Sequence, residues 1–234
     1  MKNLTIIFPV HEFYKYSRYI DYNLNIFKKL KIQTVLISNS KDVFKYKNKY
    51  VKVYVNKKFN NAQLKFEYGL KKANSEYIYL MREDTLIHEY GFKKIFNKLN
   101  NNKNLISTQG IQFIALSKNH NLVYPHNPNS INYDYIKNQS IKLKILNIMK
   151  NAPELYWTFH KTKVFRKFFI YYFAKGIFND KCLAEYWLIF FTMAFGEISF
   201  EKIPINLKIK SSKINKKDYS FAGHKKNKKY YHSL

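Results

Sequence analysis

The sequence predicts an α/β fold, with a mostly parallel central sheet flanked by helices and an aromatic-rich helical C-terminal part. Three observations predict it. Short apolar runs recur at 4–10, 33–37 and 77–81, with the length and composition of buried strands, and 51–55 alternates as a further strand. Stretches with helical apolar spacing lie between several of these runs, which joins successive strands by crossovers and makes them parallel. Residues 165–178 and 183–195 are helical in spacing and crowded with Phe, Tyr and Trp.

The elements follow in order. Residues 4–10 form a continuous apolar run that ends at Pro9-Val10, and so a buried first strand. Tyr19, Ile20, Leu24, Ile26, Phe27 and Leu30 recur at helical spacing, and Ser17 is a candidate cap, so a helix is expected over 17–30. Residues 33–37 are a second strand, closed by the turn-formers Ser38-Asn39-Ser40. Residues 51–55 alternate and read as a third strand, and 61–73 as a helix with Leu64, Tyr68 and Leu70 on one side. Residues 77–81 are the fourth strand and 89–99 the next helix. Residues 105–116 read as one or two strands around Gly110. The Asn-, Pro-, His- and Tyr-rich stretch 117–139 has the length of a binding loop or lid, or of a disordered segment. A helix is expected over 141–149, a break at Pro153, a strand over 198–203 and a basic tail from Lys213.

With 234 residues the chain is long enough for one elaborated domain, and a 46% hydrophobic, 18% aromatic composition excludes wholesale disorder. The net charge of +27, from 42 basic and 15 acidic residues, favours anionic partners: nucleic acid, anionic lipid or phosphorylated substrates. Only Arg18, Arg82 and Arg166 are arginine. Lysine, Asn, Ile, Tyr and Phe all have A/T-rich codons, so base composition alone yields this profile, and dedicated phosphate and base readers favour arginine. No zinc-ligand pattern, helix-turn-helix signal or RNP-type aromatic motif is present, and nucleic acid is not the expected partner. Cys182 stands alone, which excludes an intrachain disulfide and suits a reducing compartment. The opening apolar core is too short for a signal peptide, and no apolar run reaches the ~18 residues of a spanning helix. A cytoplasmic protein, peripheral at the inner face of the cell membrane at most, is expected.

The most informative stretch is 75–87, where the apolar run 77–81 stops at Arg82-Glu83-Asp84. Carboxylates at the carboxyl edge of a buried strand occupy the place where open α/β sheets bind ligands. They are costly to desolvate without a metal, a basic partner or solvent. Two readings stay open here: a ligand site, or a polar turn in which Asp84 caps the following helix.

Taken in order, several stretches resemble family 2-like inverting glycosyltransferases of the GT-A (Rossmann-like) fold, especially bacterial sugar transferases of surface-polysaccharide loci. Leu4-Thr-Ile-Ile-Phe-Pro-Val-His11 resembles the family's opening strand, and Thr34-Val-Leu-Ile-Ser-Asn-Ser40 its second strand and nucleotide-facing turn. Residues 62–84 resemble its helix, turn, strand and Asp-X-Asp edge, and Glu185 before Gly196-Glu-Ile its late acidic base. The likeness spans most of residues 1–205.

The resemblance implies a nucleoside-diphosphate sugar donor and a surface-glycan or lipid-linked acceptor. It implies a nucleotide-sugar-binding half at 1–116, an acceptor-binding and catalytic half of the same domain at 117–212, and a tail at 213–234. Asp84 would hold a divalent ion, Mn²⁺ or Mg²⁺, that stabilises the leaving diphosphate, and Glu185 would deprotonate the acceptor hydroxyl. Pro9, His11, Ser38, Asn39, Lys65, Arg82 and Glu83 would face the donor, Glu83 beside the ribose or diphosphate and Lys65 on the diphosphate. The sequence departs from the family twice. The acid after the second strand is replaced near Ser38-Asn39, and Arg82 stands where the first Asp of Asp-X-Asp is usual. Arg82 would offset diphosphate charge and reduce dependence on metal, or mark a changed donor or an inactive binding subunit.

Other candidates carry two readings each. Tyr156 and Trp157 suit either stacking on an acceptor sugar or core packing. His120 and His126 show no metal-ligand spacing, and His224 is either a late metal ligand or a tail residue. The Lys- and Tyr-rich tail over 213–231 suits an anionic membrane surface, and equally a solvated tail. A nucleic-acid-binding protein and an inactive GT-A-like subunit are the rival functions.

Overall fold

The structure, a computed structural model, describes residues 1–116, 123–126, 155–170 and 181–210, with 140, 142, 143 and 146. The expectations for residues 117–122 and 127–139, most of 141–149, Pro153, 171–178 and the tail from Lys213 lie outside the described residues.

The chain runs β1 (Leu4–Val10), α1 (Phe13–Lys29), β2 (Gln33–Ser38), a 3-10 helix (Lys41–Tyr46), β3 (Val51–Val55), α2 (Ala62–Lys72) and β4 (Tyr77–Leu80). It continues through β5 (Thr85–Ile87), α3 (Glu89–Asn101), β6 (Leu105–Leu116), β7 (Val123–His126) and a 3-10 turn (Leu155–Trp157). The last elements are β8 (Phe159–Lys161), α4 (Thr162–Phe168), α5 (Lys181–Phe195) and β9 (Glu197–Lys210). One nine-stranded sheet has the order β3-β2-β1-β4-β8-β6-β9-β5, with β7 paired to β6. β3, β2, β1 and β4 are parallel. β8 is antiparallel to both β4 and β6, and β9 is parallel to β6, so β6 and β9 point the same way as the first four strands. Among the described residues only β5, β7 and β8 oppose them. The α/β fold class and its mostly parallel sheet are therefore as the sequence predicts, and the sheet runs unbroken from the first half of the chain into the second.

The apolar strands bury both faces. Leu4, Ile6, Phe8 and Val10 of β1 meet Ile20, Leu24 and Phe27 of α1 and Phe92, Ile95 and Phe96 of α3. The opposite face of β1, at Ile7, packs with Phe66 and Leu70 of α2, Phe165 of α4, and Leu188 and Ile189 of α5. This explains why β1, β2 and β4 read as solid apolar runs rather than alternating ones. Among the described residues no helix is long and apolar enough to cross a membrane.

Several expectations are corrected. α1 begins at Phe13, four residues before Ser17, with Glu12 as its N-cap residue, and a carboxylate far along the chain holds the backbone N–H groups just ahead of it, as described below. The buried face of α2 consists of Lys65, Phe66, Gly69 and Leu70, while Leu64 is 40% exposed. Gly69 explains the close seat of that helix, since a Cβ there would stand 2.5 Å from Ile7 Cγ2 and 2.8 Å from Ile37 Cδ1. Three-residue β5 and β8 escape prediction, being below the length at which a periodic pattern shows. β5 is held from two sides, by β9 and by the fully buried Asn23 of α1. Asn23 Nδ2 donates to Thr85 O at 2.6 Å and its Oδ1 accepts from Ile87 N at 2.9 Å.

Candidate active site at the strand edge

The connections of the sheet define a crevice. α1 leaves β1 on one face and α2 enters β4 from the other, so the carboxyl ends of β1 and β4 flank the topological switch point where α/β sheets bind ligands. The last rung between these strands is Met81 N donating to Ile7 O at 2.9 Å. Pro9, two residues on, turns its hydrogen-free nitrogen toward the same side, where β4 has already ended, so the central strand loses no rung there. Pro9 is buried in β1 opposite Ile37 and shapes the edge.

Four of the expected residues, His11, Ser38, Lys65 and Glu83, converge at this edge. Lys65, 0% exposed, donates from Nζ to Val10 O at 2.6 Å and to His11 Nδ1 at 2.9 Å. Buried Ser38 donates to the same Val10 carbonyl at 3.2 Å and accepts from Ser40 N at 3.1 Å. From the other side, Glu83 Oε2 accepts from His11 N at 2.6 Å, and both its oxygens accept from Glu12 N at 3.1 and 3.2 Å. Residues 10–12 are thus clamped between an ammonium and a carboxylate. Because an ammonium only donates, His11 Nδ1 is an acceptor and the ring proton sits on Nε2. The resemblance implies Lys65 on the diphosphate; in the structure its Nζ is turned onto Val10 O and His11 Nδ1 and sets the shape of the loop. Ser38 likewise ties β2 to β1, and Asn39 is exposed at the turn.

The charges here are tuned by burial. Desolvation, with help from the Lys65 charge, lowers the His11 pKa to about 4. Desolvation brings Lys65 down to about 8, opposed by Glu83. Desolvation raises Glu83, opposed by the N–H groups of His11 and Glu12 and by Lys65. Fully buried His160 on β8, bonded through Nε2 to Leu155 O at 2.6 Å, is lowered by burial to about 3. Both histidines are neutral in the fold near pH 7, yet in the unfolded chain they take up protons near pH 6.5. Between about pH 6.5 and 3 the unfolded state therefore binds more protons, and stability falls as pH falls through that window. The raised Glu83 opposes part of this slope. Urea midpoints measured from pH 7 down to 4 are expected to decrease, and His160→Gln to flatten the decrease.

The second half of the edge is an arginine fork. Arg82 Nε donates to Asp84 Oδ1 at 2.9 Å and Nη2 to Oδ2 at 2.8 Å. The guanidinium lies 4.9 Å from the centroid of the Trp157 ring, which in turn packs on Phe66 at 5.7 Å. Thr85 Oγ1 donates to Asp84 Oδ1 at 3.3 Å, and Ile209 N to Asp84 O at 2.8 Å. The helix-capping reading of Asp84 is corrected: His88 is the N-cap of α3, accepting from Gly91 N at 3.2 Å. The arrangement around Asp84 does not fit the divalent ion that the resemblance implies. Both carboxylate oxygens face a guanidinium, and among the described residues no group of three His, Cys, Asp or Glu is arranged to hold a metal ion.

Beside this edge, His11, Glu12, Phe13, Tyr14, Lys15 and Ser40 line a shallow cleft. Asp42 is bonded to two of these lining residues, accepting from Tyr14 Oη at 2.8 Å and from Ser40 Oγ at 2.5 Å. Hydrogen bonds from Ser40 and Tyr14 hold the Asp42 carboxyl below its usual pKa. An acid does therefore follow β2, a few residues beyond Ser38-Asn39, carried there by the 3-10 helix. Tyr156 is half-buried beside Trp157. Glu185 lies on α5, one turn before buried Leu188. His126 is in β7, whereas His120 and His224 lie outside the described residues.

No protein-family model matches the chain, and no curated protein matches it. Solved structures do. The structure of S. aureus TarS is similar with a TM-score of 0.57 at 16% identity, over 90% of this chain and 37% of that one. TarS 1-349 in complex with UDP gives 0.55 at 18% identity, over 90% and 61%. TarS 1-349 in complex with UDP-GlcNAc gives 0.54 at 16%, over 90% and 59%. This chain therefore spans between about two-fifths and three-fifths of the length of those chains. At these identities the likeness is one of fold, and the fold is GT-A-like.

Proposed function

We propose that the protein is an inverting glycosyltransferase that moves a sugar from a nucleoside-diphosphate donor to a surface-glycan or lipid-linked acceptor. The observation that carries this reading is the convergence of residues 10–12 and 82–84 at the switch point of a GT-A-like sheet. The similar TarS structures in complex with UDP and UDP-GlcNAc support a donor of that class. In this reading Asp42, Ser40 and Asn39 face the nucleoside across the cleft. The Nε2–H of neutral His11 and the guanidinium of Arg82 face the diphosphate, while Lys65, Glu83 and Ser38 hold the loop that presents His11. The acceptor oxygen bonds to the anomeric carbon as the bond to the diphosphate oxygen breaks. The acceptor proton passes to Glu185 and the nucleoside diphosphate leaves. Tyr156 offers a face for the acceptor sugar. The basic tail from Lys213 would lie on an anionic membrane surface at the cytoplasmic side.

Thermal-shift screening against nucleoside diphosphates and their sugars tests the reading. Ligand at about 100 times its Kd stabilises by about 2.7 kcal/mol, a rise of roughly 5–10 °C for a chain of this size. A rise confined to one nucleotide base is the expected result. A flat response across the panel, with salt-sensitive shifts by DNA oligonucleotides instead, would replace it with the nucleic-acid reading.

A further inference from the structure

Resting on the donor-binding reading above, we propose that the diphosphate is met at this edge by a guanidinium platform rather than by a protein-bound divalent ion. Three observations on different elements point to it. The two acids at the end of β4, the residues that an ion would need, are both committed within the protein. Asp84 gives both oxygens to Arg82, at 2.9 and 2.8 Å, and Glu83 gives both to the N–H groups of His11 and Glu12. Next, Arg82 is fixed on two sides, by the fork in its plane and by the Trp157 ring 4.9 Å from its centre. Trp157 is itself anchored: its 3-10 turn is tied at Leu155 O by the fully buried His160, and at Thr158, whose Oγ1 donates to Thr108 O. Finally, no three-residue His, Cys, Asp or Glu cluster exists among the described residues.

The chemistry of the group suits the task. A guanidinium has five N–H donors in one plane, and its geometry matches phosphate oxygens. It is permanently charged and weakly hydrated, so stacking on an indole holds it in place at low desolvation cost. A cation already positioned stabilises the charge that develops on the leaving diphosphate without reorganisation. Asp84 is then a positioning residue that aims Arg82, and Trp157 and His160 support it in turn.

Calorimetric titration of the full chain with UDP, ADP, GDP and CDP, each in EDTA and again in excess Mn²⁺, tests the platform. The expected result is one diphosphate bound with affinities within about 3-fold in the two buffers. Arg82→Ala is expected to weaken that binding by about 10-fold or more, the scale of one lost charge-assisted contact. Asp84→Asn is expected to weaken it only a few-fold and to leave it indifferent to Mn²⁺. Binding that appears only with Mn²⁺, and is lost in Asp84→Asn, would overturn the platform while leaving the donor-binding reading standing. No diphosphate bound in either buffer would overturn both. The comparison of buffers uses the unaltered chain, so it decides the matter even if Arg82→Ala fails to fold.

Discussion

If Glu185 is the general base of the proposed reaction, Glu185→Gln is expected to lower turnover of the donor by about 10²–10⁴-fold, the usual contribution of a general base, while leaving donor affinity within about 2-fold. Glutamine keeps the size and polarity of the side chain and removes only its capacity to accept the acceptor's proton. The loss falls on kcat and kcat/KM alike, as it does for an interaction made only in the transition state. Steady-state kinetics and nucleotide titration on the same preparation separate the two effects. An unchanged kcat would remove Glu185 from the chemistry. A matching loss of donor affinity would make it part of the donor site instead.

Glu83→Ala destabilises the protein by about 3 kcal/mol, whereas Lys65→Met stays within about 1 kcal/mol of the unaltered chain. The two residues form one electrostatic unit, but their burial differs. Lys65 is 0% exposed, so removing Glu83 leaves an ammonium enclosed in protein, and it also strips the partner from the N–H groups of His11 and Glu12. Removing Lys65 instead leaves a half-buried carboxylate that keeps those backbone donors, and Val10 O keeps its bond from Ser38. Methionine fills the same space without the desolvation cost of the charge. Lys65→Met is nevertheless expected to weaken donor binding about 10-fold, since the His11 ring loses the contact that sets its tautomer and position. Urea midpoints with unchanged m-values give the stabilities. Equal destabilisation by the two substitutions would contradict the asymmetry.

Strands β1, β2 and β4 are legible in the sequence because each is buried on both faces and reads as an uninterrupted apolar run, while β3, at the sheet edge, is legible by its alternation. The strand edge at Arg82-Glu83-Asp84 is legible for the related reason that the run stops there at charge. What each of these charges does is not legible. Glu83 holds the backbone N–H groups of His11 and Glu12, just ahead of α1 and some seventy residues earlier in the chain, and no local window contains both partners. The sequence resemblance implies Lys65 on the diphosphate; that it is buried follows only from Gly69, which lets α2 approach β1 closely. Trp157 reads as core or as a sugar platform; that it carries Arg82 follows only from the pairing of β8 with β4, and β8 has three residues. Asp42 is close in sequence to Ser38-Asn39, yet only the 3-10 helix returns it to the edge, where Tyr14 meets it.

Amide hydrogen exchange across the chain, recorded with and without a saturating concentration of the diphosphate that the binding panel selects, locates the donor site directly. Slowed exchange at residues 10–15, 39–42 and 82–85, with the outer β3 edge unchanged, is the predicted footprint. Binding whose protection falls elsewhere, and leaves those three segments exchanging as before, would contradict a donor site at the switch point between β1 and β4.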